Sequence, residues 1–437
     1  MLDTVTPNQP LGFKPHFVGR YTELGEIDRL WQSNNASLLV VYGRRRVGKT
    51  RLFTHWKKHN GHSLYWVAEQ VPAFDQLRSF SRALFRFENP DAKVPSGVAY
   101  EDWSTAFWHV AQLARKRRIA LLIDEVNYLI ESDANFIGIL QTAWDHDLKD
   151  TNILLGLSGS NSSVIEKQIF SYSAPMHGRT SKKLVLKPLP FGTSREFYPN
   201  YDRLERIKVY AMFGGVPAYW EKFDDSLAIE ENIERNLIGS TYLLDEPTYL
   251  LSDHINTPNT YAGIMRAIAL GHHTVTEIQR YTQLPKSKVS KYLITLLDTG
   301  FVSRTLPVSE DQQSRKSRYV ITDHYMRFFY RYLSSNRSII ETDAEVVVDE
   351  ISETIDQFIE KNIWPELCQE WLIKANKRRA LPSRLAIKVG GEWNGRTANV
   401  PVVGINTDKQ EILIGLNFWT DAPTSQREVH SLVTQAT

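Results

Sequence analysis

"VVYGRRRVGKT", residues 40–50, decides the fold. A short apolar run enters G-x-x-x-x-G-K-T, with Gly43, Gly48, Lys49 and Thr50 at the fixed positions. The pattern predicts a buried strand, a phosphate-binding turn and the start of a helix. Glycine lets the backbone curl so that N–H groups face phosphate oxygens. Lysine adds a charge for the β and γ phosphates, and the threonine hydroxyl suits Mg²⁺. The helix start directs its positive end at the same place. Gly43, Arg46, Val47, Gly48, Lys49, Thr50 and Arg51 are therefore the expected binding set for ATP or ADP. Because backbone N–H groups cradle phosphate, the side chains of Arg44, Arg45 and Arg46 are expected to project outward.

"ALLIDEVN", residues 120–127, supplies a second element. Asp124 ends an apolar run and is the expected Mg²⁺ partner of Thr50. Glu125 is placed to orient and deprotonate the attacking water. The same two carboxylates would also complement a helix dipole. The phosphate loop upstream favours catalysis. "LSGSN", residues 157–161, ends another run, where Ser160 or Asn161 is a candidate for the γ-phosphate or the water. Turn chemistry explains Ser, Gly and Asn equally well.

Continuous apolar runs at 37–43, 62–68, 119–125 and 152–160 read as strands buried on both faces of a parallel sheet. Helical patterns lie between them, so the expectation for residues 17–195 is an α/β P-loop NTPase domain. Strand signals then stop. Residues 205–223, "ERIKVYAMFGGVPAYWEKF", read as helix, Gly-rich break and helix, inside a helical lid at 196–255. Three helical patterns and the alternating "RYVITD" (318–323) follow, the order of a winged helix-turn-helix at 256–322. Ser287, Lys288 and Lys291 fall on one face of its last helix, and Arg318 lies in the wing. Such a basic footprint suits double-stranded DNA. A lysine run is also simply a solvated face. Residues 323–437 hold an aromatic-rich helix, a long helix and two late strands, "NVPVVGI" and "EILIGLNFW", and residues 1–16 read as a polar tail.

Composition sets outer bounds. The chain has 437 residues, 42% hydrophobic and 23% charged, with a formal charge of +2. Any polyanion surface must therefore be local. Cys368 is the single cysteine, which excludes an internal disulfide framework. No apolar stretch approaches the roughly 20 residues a membrane span needs. A cytoplasmic protein without membrane contact is the expectation.

Taken together, "FVGRYTEL", "YGRRRVGKT", "LLIDEVNYL", "GLSGSNSSVIEK", "HGRTSKKLVLKPL" and "FGGVPAYW" resemble, in order, archaeal-type ATPases of the STAND class. These are signal-transduction NTPases related to AAA+ proteins, and the likeness spans about residues 17–335. It implies that Gly19 and Arg20 pass the adenine, that Arg179 stands near the γ-phosphate, and that Pro217 touches the nucleotide. It also implies a C-terminal domain like the PD-(D/E)XK nucleases, whose acids and lysine hold metal and activate water. Here Asn399, Pro401, Leu416 and Phe418 stand in their places, with only Glu360 as a matching carboxylate. The expectation is an inactive nuclease-like fold. The resulting reading is an ATP-hydrolysing switch in which ATP closes the lid and winged helix onto the P-loop domain. It would work as a homo-oligomer or with a partner protein. The alternatives are a DNA-binding regulator or scaffold that uses ATP structurally, and an ATP-dependent nuclease.

Overall fold

The structure, a computed structural model, describes residues 17–437 except 161, 253–254, 256, 382–387, 395–397, 407–409, 416, 420–424, 428–429 and 431–437. The expected tail and the candidate positions Asn161 and Leu416 lie outside the described residues. By packing, the chain divides into two units. One runs to Phe197 and takes in Gly215–Glu221. The other is Tyr198–Gly214 with Lys222 onward.

The first unit is built on a parallel sheet of five strands in the order β2-β3-β4-β1-β5. They are β1 (Ser37–Tyr42), β2 (Ser63–Val67), β3 (Ile119–Asp124), β4 (Ile153–Gly159) and β5 (Lys182–Val185). Every residue of β1, β3 and β4 is buried, which is why these strands read as unbroken apolar runs. β5 is an edge strand with alternating exposure, so "KKLV" gave no such run. Helices α1 (Tyr21–Gln32) and α2 (Lys49–Lys58) cover one face of the sheet. Helices α3 (Ala73–Glu88), α4 (Trp103–Lys116) and α5 (Val126–Ser132) cover the other. Each face closes over its own apolar core. Val41, Phe53 and Trp56 lie in one, and Trp66, Phe80, Trp103 and Phe107 in the other. β4 lies between β1 and β3, so the phosphate loop and Asp124 emerge on either side of it.

In the second unit the helices Pro258–Ala269, Val275–Thr282 and Lys286–Asp298 are followed by the antiparallel hairpin β6 (Val302–Thr305) and β7 (Arg318–Ile321). This is the element order that the sequence predicts for a winged helix. Thr274 and Glu277 form a capping box that starts the second of these helices. Further on, Phe328 and Tyr332 pack with Phe358 of the helix Ala344–Asn362 in an aromatic core.

The C-terminal sheet departs from expectation. It has three antiparallel strands in the order β10-β9-β8: β8 (Lys388–Asn394), β9 (Ala398–Asn406) and β10 (Glu411–Gly415). β8 went unpredicted because its Gly390-Gly391 pair reads as a turn. "NVPVVGI" is in a strand, but beyond Gly415 the residues 417–419 have no strand structure. Pro401 sits inside central β9, where the missing N–H would normally break a ladder. A bulge between Gly390 and Glu392 absorbs it, and the Gly391 carbonyl accepts instead from the Val308 N–H at 2.9 Å. Among the described residues no helix is long and apolar enough to cross a membrane.

Candidate nucleotide site

The phosphate loop leaves β1 beside the chain that continues β5. At Gly43 any Cβ would stand 2.3 Å from the Leu186 carbonyl oxygen, so only glycine allows the approach. Lys49, buried in the first turn of α2, donates to the Gly43 and Arg44 carbonyls at 3.1 and 3.0 Å. Burial lowers its pKa, against the opposing pull of Glu125 and Asp124.

Asp124 is fully buried at the end of β3. Its carboxylate accepts from Thr50 Oγ1 at 2.6 Å, Tyr65 O–H at 2.8 Å and the Glu125 N–H at 3.0 Å, and from the Ser158 hydroxyl. Four donors fix the orientation of this buried carboxylate. Tyr65, buried beside it, has its phenol pushed well above the usual range, first by burial and then by the Asp124 charge. The Thr50 hydroxyl and the Asp124 carboxylate thus form a pair of hard oxygen donors. That is the donor type Mg²⁺ takes alongside phosphate and water.

Glu125 stands in the left-handed region, φ 54°, at the N-cap of α5. Such a conformation in a non-glycine residue is uncommon and concentrates at functional sites. Ser160 Oγ donates to Glu125 Oε2 at 2.6 Å. Of the two candidates at the end of β4, the structure therefore brings Ser160 to Glu125. Asn127 supplies the frame, since its Oδ1 accepts from the Ser160 N–H at 3.3 Å.

The arginines of the loop have destinations. Arg44 donates to the Tyr219 hydroxyl at 3.0 Å, Arg45 reaches the Tyr128 hydroxyl at 3.4 Å, and Arg51 pairs with Glu221 at 2.8 Å. The expected outward projection thus ends on side chains of the same unit. Arg46 takes a left-handed turn, φ 69°, and Val47 is buried in the core. Tyr219 and Glu221 belong to the Gly215–Glu221 segment, in which Pro217 begins a short helix. The segment docks by its backbone: the Leu189 N–H donates to the Gly215 carbonyl at 2.6 Å.

Next to Gly48 lies a cavity of about 40 Å³ lined by Phe17, Val18, Arg51, Leu189, Phe197, Pro217 and Glu221. Pro217 and Arg51 are among its lining residues. Gly19 and Arg20 do not line it. Gly19 packs by Thr193, and Arg20 donates to the Val47 and Lys187 carbonyls at 2.8 and 2.7 Å, bracing the loop from outside. Phe17 and Val18, just before them, form the wall instead.

Arg179 has another engagement. It forms a two-pronged pair with Asp145, at 2.8 and 2.7 Å, and donates to the Pro175 and His177 carbonyls. None of these partners belongs to the phosphate loop or to the Asp124–Glu125 pair. The basic footprint of the winged helix is likewise split. Ser287, Lys288 and Lys291 are exposed on the helix Lys286–Asp298. Arg318, grouped with them by sequence, instead lies 4.6 Å over the Trp393 ring and donates to Asn399 Oδ1 at 3.2 Å. A strand neighbour decides this, which periodicity does not reveal. Sequence reasoning also missed Tyr65, Ser158, Tyr219 and Glu221. The last two carried a weak signal, lying two and four positions after Pro217.

A parallel sheet with a phosphate loop, a threonine hydroxyl bonded to a buried aspartate and a carboxylate poised beside them defines an ATP-binding P-loop ATPase. Comparisons agree. Residues 17–223 match a family described as an ATPase domain predominantly from Archaea. Residues 262–305 match the IclR helix-turn-helix domain, and residues 329–431 a family of archaeal and bacterial proteins of unknown function. An uncharacterized protein of Methanocaldococcus jannaschii is 31% identical over 411 residues, 93% of this chain and 88% of its own. The chain belongs to this archaeal-type ATPase family. Among solved structures, the Walker-type ATPase of Pyrococcus abyssi aligns with a TM-score of 0.57 at 18% identity, over 74% of this chain and 98% of that one. The Aeropyrum pernix ORC2 protein, solved as ADPNP–ADP complexes, aligns at 0.50 and 14% identity, over 78% and 96%. At these identities the likeness speaks for the fold.

Proposed function

We propose that the chain is a nucleotide-operated switch of the STAND class, related to AAA+ proteins, that binds and hydrolyses ATP with Mg²⁺. The observation that carries this reading is the convergence of Lys49, Thr50, Asp124 and Glu125 beside one loop. Thr50 and Asp124 would hold the cation, which would neutralise charge on the phosphates. Lys49 exchanges its carbonyl partners for phosphate oxygens. Glu125, aimed by Ser160, takes the proton of the attacking water. The Phe17–Pro217 cavity supplies apolar walls for the adenine.

The switch lies in the Gly215–Glu221 segment. Both its ends continue into the other unit, while its middle rests on the nucleotide unit. Arg44–Tyr219 and Arg51–Glu221 tie it to the loop that meets the phosphates. A shift of that loop is therefore felt at a segment covalently joined to the helical unit. Hydrogen exchange over residues 258–321, compared between ATP and ADP, tests this. The parent is expected to show a nucleotide-dependent difference that Tyr219→Phe with Glu221→Gln removes while ATP still binds. Identical exchange with both nucleotides in the parent would sink the switch.

For residues 340–437 we propose a binding or packing role without nuclease chemistry. Asn399 serves Arg318, and Gln369 donates to the Pro401 carbonyl at 2.7 Å. Phe418 offers only its carbonyl, to Trp364. Glu360 is exposed on its helix.

A second reading, contact with double-stranded DNA, rests on the exposure of Ser287, Lys288 and Lys291 within the matched helix-turn-helix. Loss of two phosphate contacts in Lys288→Ala with Lys291→Ala is expected to reduce the salt slope of duplex binding by about 2. Equal affinity of parent and variant at low and high salt would leave the winged helix as a packing module.

A further inference from the structure

The second unit holds a cavity of about 620 Å³ that nucleotide binding at the loop does not use. Its walls come from β6–β7, the helix Trp364–Lys377 and β8–β9, with Arg318, Arg327, Lys361, Glu366, Gln369 and Trp393 among them. Two of these charges cancel. Arg327 pairs with Glu366 at 2.9 Å and also donates to the Ile321 and Asn362 carbonyls. Against the opposing effect of desolvation, Arg327 and His324 hold the Glu366 carboxyl down to about 2. His273, also in the wall, has its pKa lowered by burial, and its Nδ1 is 3.0 Å from the Tyr319 carbonyl oxygen.

Arg318 and Lys361 are left. Among the described residues neither has a carboxylate within ion-pair distance. Arg318 is fixed in place, stacked on Trp393 with one N–H on Asn399, and Trp393 is itself anchored by its Nε1–H to the Lys316 carbonyl at 2.9 Å. A guanidinium carries five N–H donors, so most of its fork is available for a second acceptor. Glu277 attracts Arg318 only from beyond ion-pair distance, and two cations without a paired carboxylate lining one cavity favour an anion. Ser303, Thr305 and Gln369 add neutral hydrogen-bonding groups.

We propose that this cavity is a second ligand site, for a small phosphate monoester of mononucleotide or sugar-phosphate size. A phosphate monoester carries about −1.5 to −2 at neutral pH, which suits two cations that no carboxylate pairs directly. The volume falls in the range of about 300–1,000 Å³ common for small-molecule sites. Its phosphate takes the Arg318 fork two-pronged, with Lys361 as a point charge at the rim.

Calorimetric titration of the full chain carrying Lys49→Ala, which disables the phosphate loop, tests the site with AMP, ribose 5-phosphate and adenosine. Both phosphates are expected to bind one per chain, and adenosine not at all. Arg318→Gln and Lys361→Gln are each expected to weaken binding about tenfold or more. Lys361 is exposed, so its variant keeps the Arg318–Trp393 packing and controls for misfolding. Equal heats from adenosine and AMP, unchanged affinity in both variants, or binding only of a 5′-phosphorylated oligonucleotide would overturn the proposal.

Discussion

Glu125→Gln is expected to bind ATP like the parent and to hydrolyse it about 10²–10⁴-fold more slowly, the usual worth of a positioned general base. The amide keeps the size of the side chain and can still meet Ser160, so positioning survives while the proton acceptor is lost. Lys49→Ala behaves differently. It removes the charge that leaves Gly43 and Arg44 for the phosphates, so binding itself falls. Ser160→Ala is intermediate, because Glu125 remains a carboxylate but is no longer aimed. Nucleotide affinity and single-turnover hydrolysis, measured side by side, separate the three. Parental hydrolysis by Glu125→Gln would show that another group activates the water.

Gly215→Ala is expected to destabilise the nucleotide unit by more than about 3 kcal/mol, a size reached only by a few mechanisms such as steric strain. For a domain of this size that is a melting shift of roughly 10 °C. A Cβ at this position would stand 1.7 Å from the Leu189 carbonyl oxygen and 2.6 Å from its nitrogen and carbonyl carbon. Neither side can yield easily, since the Leu189 N–H is bonded to the Gly215 carbonyl at 2.6 Å. The segment must either strain or lift, and lifting it breaks Arg44–Tyr219 and Arg51–Glu221 together. Calorimetric melting checks the first outcome. Exchange of the Leu189 amide reports the second. A variant that melts with the parent and keeps that amide protected would show the close approach to be unimportant.

Much of the nucleotide unit was legible along the chain. The phosphate loop, the Asp124–Glu125 pair and four of the five strands follow from local patterns, because fully buried parallel strands must be apolar throughout. The helix–helix–helix–hairpin order of the winged helix could be read because half-buried helices repeat their apolar positions every three to four residues. Edge strand β5 and glycine-bearing β8 could not, since neither has a buried face long enough to impose a pattern.

What tertiary structure alone decided is the set of partners. Side chains that meet across strands or between distant segments have no fixed spacing in sequence. Tyr65 and Ser158 reach Asp124 from the neighbouring strands β2 and β4, a consequence of strand order. Arg179 and Arg318 looked equally suited to phosphate. Their fates were set by Asp145, 34 positions away, and by Trp393 on β8. A guanidinium is always charged and takes whichever carboxylate or aromatic face the fold brings to it. The sequence by itself pointed to an ATP-binding ATPase and to the phosphate loop expected to serve it. The packing decided which charges lie beside that loop and which are paired elsewhere.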